Sequence, residues 1–442
     1  MRKNLFLVTV IILLLFVCIT KTQSDTKPVE QEVFEQKALN TEEFETENDN
    51  TEAFSTEAIN TEEISSQDRA QNIRVLISSD DYQSRYHDSI KVESDQGAEI
   101  CFGNEVLKMA PDEVFTVTAD MKKEAKDEPV IIYPTGGNLY LPELIRSKKG
   151  EGYQGHMEFY FTDQGIILIN ELNLEEYLKN VVPSEMPSDY PEEALKAQAI
   201  CARTYALKRI REEEKLEGLA DLDDSVSYQV YHNQGTAQQT DRAVEETKGM
   251  VLEKNGELID ALYYSTSCGL DLRMDLSDEA VMETFMTTDQ IRASEYKETW
   301  FRWKTRIWLS NLPGEVKDLK ITERRKDGAV IKMQVQYLSG EEQLEGEYSI
   351  REYLAQASPE YIVQDGSTRS DMALLPSAFF IMKPYYEGEQ IAAYDLFGGG
   401  YGHGIGLSQN GAKCMAQDGY TCEEILMAYY GDNYGEIQII AE

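Results

Sequence analysis

One segment near the middle of the chain constrains the fold more than any other. It reads VVPSEMPSDYPEEALKAQAICARTYALKRIREEE and begins at residue 181. Pro183 and Pro187 bracket Glu185. Because proline fixes its own φ and restricts the residue before it, the two prolines predict a stiff, non-helical elbow that presents this carboxylate.

A long helix is predicted after the elbow, over about residues 191–217. Ser188 or Asp189 can cap it, and Pro191 suits its first turn. One stripe of the helix carries small apolar side chains, so close packing against a neighbour is expected. Lys196 and Arg203 are seven residues apart and therefore share another face.

Glu185 has two interpretations from this local sequence. It is either a solvated glutamate in a proline turn, or a rigidly presented acid that faces a cleft floored by Lys196 and Arg203. Two further segments bear on the choice. ALYYSTSCGL, from residue 261, combines aromatic and hydroxyl side chains that suit a sugar cleft. FGGGYGHGIGLSQNGA, from residue 397, lets backbone approach a ligand closely and lacks the GK[ST] ending of a phosphate loop.

The first residues predict an exported protein. Arg2 and Lys3 precede an apolar run from Leu5 to Ile19, which is typical of a secretory signal or a single membrane anchor. No A-x-A cleavage site follows, so residues 1–21 are predicted to stay as an anchor in the cell membrane, with the body outside. If the segment is cleaved, the protein is secreted.

Residues 22–72 are predicted to form a disordered acidic linker. NTEEF, NTEAF and NTEEI repeat every ten residues, from residue 40. Such polar repeats cannot bury enough surface to offset the entropy of ordering, and their charges keep the chain extended. A partner-binding arm is the alternative. The whole chain carries a formal charge of −38, which argues against a nucleic-acid partner.

The rest of the chain predicts an α+β fold, with helices packed on antiparallel sheets. Short β-like runs indicate a β-rich N-terminal part over residues 73–165, and residues 157–169 indicate a hairpin. A single composite catalytic body is predicted over 166–436, with a second long helix around 408–430 and a β-rich insertion at about 300–372. His87 and His156 stand alone in sequence and are interpreted as core or solvated histidines.

Taken in order, the motifs SEMP, EALKAQAICARTYAL, YQVY, ALYYSTSCG, LLPSAFF and GYGHGIGLSQNGA resemble the SpoIID/LytB family (stage II sporulation protein D). The resemblance implies a membrane-anchored lytic transglycosylase that cuts peptidoglycan glycan strands, preferably strands whose stem peptides an amidase has removed. The implied partners are those strands, a cell-wall amidase and membrane proteins of an engulfment-type complex. The family's catalytic glutamate falls on Glu185, and its other site residues fall on Lys196, Arg203, His403, Ser408 and Gln409.

A lone glutamate suits that chemistry. An ordinary glycosidase uses two carboxylates. In a lytic transglycosylase the C6 hydroxyl of muramic acid attacks its own anomeric carbon, so one residue can act as acid and then as base, leaving a 1,6-anhydro end. Glu185 then needs a raised pKa. Adjacent cations would lower it, so Lys196 and Arg203 are predicted to lie further off and to bind substrate, one of them through the lactyl carboxylate.

Several assignments stay open at this level. His403 can donate to sugar, support Glu185, or merely satisfy backbone groups in a turn. Tyr263 or Tyr264 can stack on a pyranose ring, and Ser265 lies beside them as a further substrate contact. Cys414 and Cys422 can form a disulfide or remain free.

No metal and no cofactor are predicted. Some relatives bind zinc through Cys and His just upstream of the Q-V-Y motif, but Asp224, Ser227 and Tyr228 stand there in this chain, and His232 alone makes no site. Two other functions compete with the transglycosylase. One is a non-catalytic glycan-binding scaffold that stimulates an autolysin. The other is a hydrolase whose second carboxylate is, for instance, Glu245 or Asp260.

Overall fold

The structure is a computed structural model that describes most of the chain after residue 70. The described residues are 71–103, 105–126, 128–146, 152–231, 235, 237–269, 275–278, 280, 282–283, 294–370, 372–431 and 437–441. The predicted anchor, residues 1–21, and nearly all of the predicted linker lie outside these ranges. Within them, no helix has the length and apolar character needed to cross a membrane.

The described residues combine helices and sheets, which confirms the predicted α+β class. The helices are α1 Met121–Glu124, α2 Leu174–Glu185, α3 Glu192–Arg211, α4 Gln238–Glu246, α5 Glu347–Ala355, α6 Gln409–Gln417 and α7 Cys422–Leu426. The strands of the first half are β1 Asn72–Leu76, β2 Ser89–Ser94, β3 Ala98–Phe102, β4 Glu105–Met109, β5 Val114–Thr118, β6 Val130–Pro134, β7 Leu139–Tyr140, β8 His156–Phe161, β9 Ile166–Asn173 and β10 Leu222–Asp223.

The second half continues with shorter sheets. Its strands are β11 Met250–Lys254, β12 Glu257–Leu258, β13 Tyr263–Tyr264, β14 Trp303–Trp308, β15 Val316–Arg324, β16 Val330–Tyr337, β17 Glu341–Glu345, β18 Glu360–Val363, β19 Thr368–Ser370, β20 Phe380–Glu387, β21 Gln390–Gly398, β22 Leu407–Ser408 and β23 Gln438–Ala441.

A seven-stranded sheet forms one side of the main core, in the order β10-β1-β9-β8-β6-β3-β4. Its pairs are antiparallel except β1 with β10, and the predicted hairpin is present as β8 and β9. The central strand β9 reads IILINELN and is covered on both faces, because Ile166 and Leu168 enter the main core while Ile167 and Ile169 enter a smaller cluster. This sheet has strands on both sides of residue 165, where the sequence predicted a domain boundary.

Helix α3 is the centre of the main core. Its small side chains, including Ala199, Ala202 and Ala206, are fully buried, and the helix contacts α2, α4, α6, α7 and β11. A helix that is apolar over most of its surface is stable only when other elements surround it. Helix α2, which ends at Glu185, and helix α6 therefore both pack on α3.

A second core lies between α5 and the sheets formed by residues 303–398. The sheet order is β19-β18-β14-β21-β20, and β15-β16-β17 form a further meander. Trp303, Ile307, Val335, Leu354 and Leu396 are among the buried residues of this core. Because β14 pairs with β21, the β-rich region reaches beyond the predicted limit at residue 372.

Two local predictions next to Glu185 are wrong. Pro183 lies inside α2, which continues to Glu185, so the predicted elbow begins only at Met186. A proline in a last turn removes one backbone hydrogen bond, which the end of a helix tolerates better than its middle. Pro191 occupies the N-cap position of α3, so neither Ser188 nor Asp189 caps it.

The predicted helix around 408–430 is two helices. Gly419 has a φ of +93°, which ends α6, and Thr421 and Glu424 form a capping box that starts α7. The helix predicted over 191–217 begins within one residue of its predicted start. It ends at Arg211, because Glu212 is extended.

Candidate active site

Glu185 lies at the C-terminal end of α2, facing the YQVY segment (residues 228–231) and the short ribbon of β13 and β22. The amide of Val230 donates to Oε1 of Glu185 at 2.7 Å, and the hydroxyl of Tyr263 donates to the same oxygen at 3.3 Å. Part of Glu185 stays accessible to solvent. Burial of its carboxyl raises its pKa to about 7, although the donors Val230, Tyr263 and Gln409 pull the pKa down.

The ribbon brings two distant motifs to this carboxyl. Tyr263 pairs with Leu407 and Tyr264 with Ser408, in parallel register. Gly406 allows the close approach, since its φ is +77° and a Cβ there would overlap the carbonyl of Leu262. Successive strand residues point to opposite faces, so Tyr263 contacts Glu185 while Tyr264 lines a cleft on the other side.

That cleft has aromatic walls and a backbone of glycines. Tyr264, Phe379, Tyr401 and Tyr429 line it together with Thr266, Ser267, Cys268, Gly402, Gly404 and Gly406. It encloses about 470 Å³, part of which is open solvent. Tyr264 therefore lines the cleft, and its stacking on a pyranose ring stays a prediction.

His403 is committed to backbone groups. Nε2 lies 3.0 Å from the carbonyl of Tyr263, and the amide of Ile405 donates to Nδ1 at 3.1 Å. With Nδ1 accepting, Nε2 carries the hydrogen, an assignment that follows from the partners. Burial lowers the pKa of His403 to about 4, so the ring is neutral near pH 7. Of the three roles that the sequence left open, this arrangement matches the turn histidine.

The serine and glutamine after the glycine-rich segment take different roles. Ser408 caps α6 by accepting from the amide of Gly411, and its hydroxyl donates to Glu295 at 2.8 Å. Gln409 donates both to Glu185 and, at 3.4 Å, to Gln198. Only Gln409 of the two therefore contacts the candidate acid.

Ser265 lies on the rim between these groups. Its hydroxyl is 3.1 Å from that of Thr266, and its carbonyl accepts from the amide of Asn410. The side chain of Asn410 continues this polar row, donating to Thr266 and accepting from Tyr190. Ser265 thus lies next to Thr266, which lines the cleft, within a network that includes the loop after Glu185. A contact of Ser265 with substrate stays a prediction.

Arg203 is a structural residue here, and the prediction that it floors the cleft is wrong. Its side chain is 1% exposed and forms a bidentate pair with Glu175, both bonds 2.8 Å long. Its other donors reach Val244, Thr247 and Met250. All five guanidinium hydrogens are therefore used inside the protein.

Lys196 is also engaged away from Glu185. Its ammonium lies within 3.2 Å of Glu192, Glu193 and Glu246. These partners raise its pKa, and they hold the charge on the outer side of α3 and α4. The structure does not support a substrate-binding position for Lys196, and no cation is among the partners of Glu185 in the described part of the chain.

Among the residues that the structure describes, no second carboxylate contacts Glu185. Its polar partners among the described residues are an amide, a hydroxyl and a carboxamide. Asp260 instead pairs with Lys208 at 2.6 Å and Glu245 with Lys179 at 3.3 Å. The residues named for a two-carboxylate hydrolase are therefore paired elsewhere.

Glu295 is a buried acid that the sequence gave no reason to select. It is 4% exposed and accepts from the amide of Ser267 and the hydroxyl of Ser408, each at 2.8 Å. Burial raises its pKa to about 7. It lies in no motif, so only its tertiary contacts identify it.

One cluster in the described residues has the composition of a metal site. His156, Glu158 and Glu171 lie close together, so His156 does not stand alone as the sequence suggested. Arg74 bridges both carboxylates, at 2.7 Å and 2.6 Å, and supplies the positive charge that a cation would bring. We assign this cluster to an ion-pair network.

One of the positions where the family resemblance would place a zinc ligand is used internally. Asp224 is buried, binds Arg146 at 2.6 Å and accepts from the amide of Ser78. His232 lies outside the described residues. Cys414 and Cys422 are both free.

Comparisons with known proteins support one family. A family model described as Stage II sporulation protein matches residues 162–253, and one described as a domain of unknown function (DUF8618) matches residues 246–406. An uncharacterized protein of Brachyspira hyodysenteriae is 30% identical over 287 residues, which cover 64% of this chain and 71% of that protein.

Two relatives from Bacillus subtilis carry functional names. The Stage II sporulation protein D is 27% identical over 276 residues, covering 59% of this chain and 74% of its own length. The Amidase enhancer is 28% identical over 285 residues, covering 57% of this chain and 39% of its own length. The chain belongs to the SpoIID family, as its motifs predicted.

Proposed function

We propose that the protein is a lytic transglycosylase that cuts peptidoglycan glycan strands, with Glu185 as both acid and base. The observation that carries the proposal is a single buried carboxyl whose pKa is raised to about 7 and whose described contacts include no second carboxylate. A group with that pKa can give and take a proton near neutrality.

The reaction balances with this one residue. Protonated Glu185 gives its proton to the glycosidic oxygen as the bond to the anomeric carbon of muramic acid breaks. The resulting carboxylate then takes the proton of the C6 hydroxyl as that oxygen bonds to the anomeric carbon. Glu185 ends protonated, the strand ends in a 1,6-anhydro ring, and no water is consumed. A hydrolase would need a water and a second carboxylate to activate it.

We expect the aromatic cleft, which lies on the other face of the β13–β22 ribbon from Glu185, to bind a part of the neutral sugar chain beyond the bond that is cut. Tyr264 and Tyr401 offer ring faces, and the glycine backbone of residues 402–406 leaves room for close approach. Arg203 and Lys196 are paired with glutamates, so neither side chain is available to bind the lactyl carboxylate of the substrate. A preference for peptide-denuded strands rests on the family resemblance.

We further propose that the body acts outside the cell membrane, held by the N-terminal apolar segment, in cell-wall remodelling that includes sporulation. The names of the relatives support a wall-related role. A cell-wall amidase that strips stem peptides is the expected partner, and membrane proteins of an engulfment-type complex are further candidates.

A second candidate function is a glycan-binding scaffold that stimulates an amidase. The relative named Amidase enhancer favours it. The two functions differ in their dependence on Glu185, because binding needs no proton transfer.

Mass spectrometry of the products tests the proposal. The full chain is incubated with peptide-stripped glycan strands beside Glu185→Gln and the control Glu176→Gln, which alters a glutamate of the same helix that pairs with Lys179 at the surface. We expect fragments lighter by one water than hydrolysis products, unchanged with E176Q and reduced about 100-fold or more with E185Q. Hydrated reducing ends would overturn the proposal. Strands bound by all three proteins without cleavage would favour the scaffold.

A further inference from the structure

A chain of hydrogen bonds runs through the protein behind Glu185. The hydroxyl of Tyr177 donates to Oε1 of Gln229 at 3.2 Å, and Nε2 of Gln229 donates to the hydroxyl oxygen of Tyr263 at 3.1 Å. Tyr263 then donates to Oε1 of Glu185. Gln229, the second residue of the YQVY motif, is fully buried.

The orientation of the Gln229 amide follows from its partners. Nε2 also lies 3.1 Å from the carbonyl oxygen of Ala202, in α3. A carbonyl only accepts, so the amide nitrogen must face it. The carboxamide oxygen then faces Tyr177, and the second hydrogen on Nε2 points to Tyr263. An exchange of nitrogen and oxygen would leave two oxygens facing each other in the core.

The orientation of the Gln229 amide determines the direction in which the Tyr263 hydroxyl donates. Tyr263 accepts from Gln229, so its own hydrogen goes to Oε1 of Glu185. The amide of Val230 also donates to Oε1. Two donors occupy both lone pairs of that oxygen. Gln409 is a further donor to the carboxyl, and a protonated Oε2 keeps one lone pair that can accept it.

We propose that Gln229 is a positioning residue, which fixes the Tyr263 hydroxyl on Oε1 of Glu185 so that Oε2 alone gives and takes the proton. The proposal rests on the function assigned above to Glu185. It gives the YQVY motif a role in the site, although Gln229 does not touch the substrate. Val230 of the same motif supplies the second donor through its backbone.

The tyrosines that face this chain do not change state near neutrality. Burial raises the pKa of Tyr177 and of Tyr263 far above their usual value, and that of Tyr205 to about 12. Tyr231 packs against Tyr177 and is shifted in the same direction. Asp223 also faces Tyr177 and is held by the amide and hydroxyl of Ser225. A titration observed near pH 7 at this place therefore belongs to Glu185.

The test is the pKa of Glu185 in four full-length proteins, measured by carbon-13 NMR of the carboxyl and assigned with Glu185→Gln. Tyr263→Phe removes a donor to the ionised form, so the pKa should rise by about 1 unit. Gln229→Met keeps the length of the side chain but cannot donate to Tyr263. The Tyr263 hydroxyl can then turn away from Glu185, so the pKa of Glu185 should rise, but by less than in Y263F. In the Y263F background, Q229M should add nothing.

Two results would overturn the proposal: a Glu185 pKa unchanged by Q229M, or the same change with and without Tyr263. If Q229M does not fold, Gln229→Leu carries the test, because it also removes the donor to Tyr263 and adds no titratable group. The NMR titration needs no turnover. A protein that fails to cleave glycan but shows these shifts would refute the proposed function and leave this inference standing. In an active protein, the pH dependence of the cleavage rate should shift together with the pKa of Glu185 measured by NMR.

Discussion

Gly411 lies where the first turn of α6 passes two buried polar groups. A Cβ at this position would overlap the hydroxyl of Tyr429 and lie 2.7 Å from Oε1 of Glu295. Alanine normally stabilises a helix by about 1 kcal/mol relative to glycine. Here we expect Gly411→Ala to lower the free energy of unfolding by about 1–3 kcal/mol, because neither buried group can move freely.

Urea unfolding checks this prediction, with Tyr429→Phe as the matched background. Removing the hydroxyl relieves the closest overlap, so G411A should cost less in the Y429F protein. An equal loss in both backgrounds would contradict the contact. A stabilised G411A protein would contradict the packing of α6 against Glu295.

Glu295 makes a distinct prediction about pH. Its folded-state pKa is about 7, above the ordinary value of 4.5. Between these values the unfolded chain has released its proton while the folded protein retains it, so stability falls as pH rises. Above about pH 7 the loss is complete. The Glu295→Gln protein lacks this loss. The difference between its free energy of unfolding and that of the natural protein should therefore grow from pH 4.5 to about pH 7, by on the order of 1–3 kcal/mol.

The measurement is urea unfolding at several pH values from about 4.5 to about 7.5. Glu298→Gln is the control, because Glu298 lies on the same segment and pairs with Lys413 at 2.8 Å. Glu185 changes stability with pH in the same direction as Glu295, and His403, whose pKa is lowered, changes it in the opposite direction. Both effects cancel when each variant is compared with the natural protein. A difference for E295Q that does not vary with pH would show that Glu295 titrates normally.

At the scale of elements, the contact between α2 and α3 determines where Glu185 lies. Arg203 of α3 holds Glu175 in the first turn of α2, and the same guanidinium reaches α4 through the carbonyl of Val244. Removing one partner of a buried ion pair leaves the other charge uncompensated. Arg203→Met should therefore lower stability by about 3–5 kcal/mol, and adding Glu175→Gln should recover part of the loss.

Thermal or urea unfolding measures this effect, and Lys196→Met is the matched control. Lys196 is a cation of the same helix that is 18% exposed and whose glutamate partners are 35% to 43% exposed, so its loss should cost less, about 1 kcal/mol. Where both variants remain folded, neither should raise the Michaelis constant for glycan strands specifically. A folded, stable R203M protein with weakened substrate binding would restore the cleft role predicted from sequence.

Elements also show why some local predictions failed. The helix around α3 was predictable because its alanine stripe and flanking prolines act locally. The elbow at Pro183 was misplaced because α2 gains enough from burying Tyr177, Leu178 and Val181 to continue past a proline. Tertiary burial thus overrode a local preference.

At the scale of the whole molecule, sequence motifs predicted which distant segments matter but not how they meet. The ALYYSTSCGL and GHGIGLSQNGA segments do form one ribbon, and Glu185 lies beside it. The partners of a charged side chain depend on packing that no spacing reveals. Lys196 and Arg203 therefore appeared as cleft residues although the fold pairs them with glutamates. Glu295 and the role of Gln229 became visible only through contacts between remote parts of the chain.

The central claim is that one carboxyl acts without water, and isotope incorporation tests it most directly. Peptide-stripped strands are cleaved by the full chain in water enriched in oxygen-18, and the new ends are examined by mass spectrometry. We predict anhydro ends that carry no label, with product formation reduced about 100-fold or more in E185Q. Labelled reducing ends in the natural protein would mean that water attacks the anomeric carbon, which would contradict the claim.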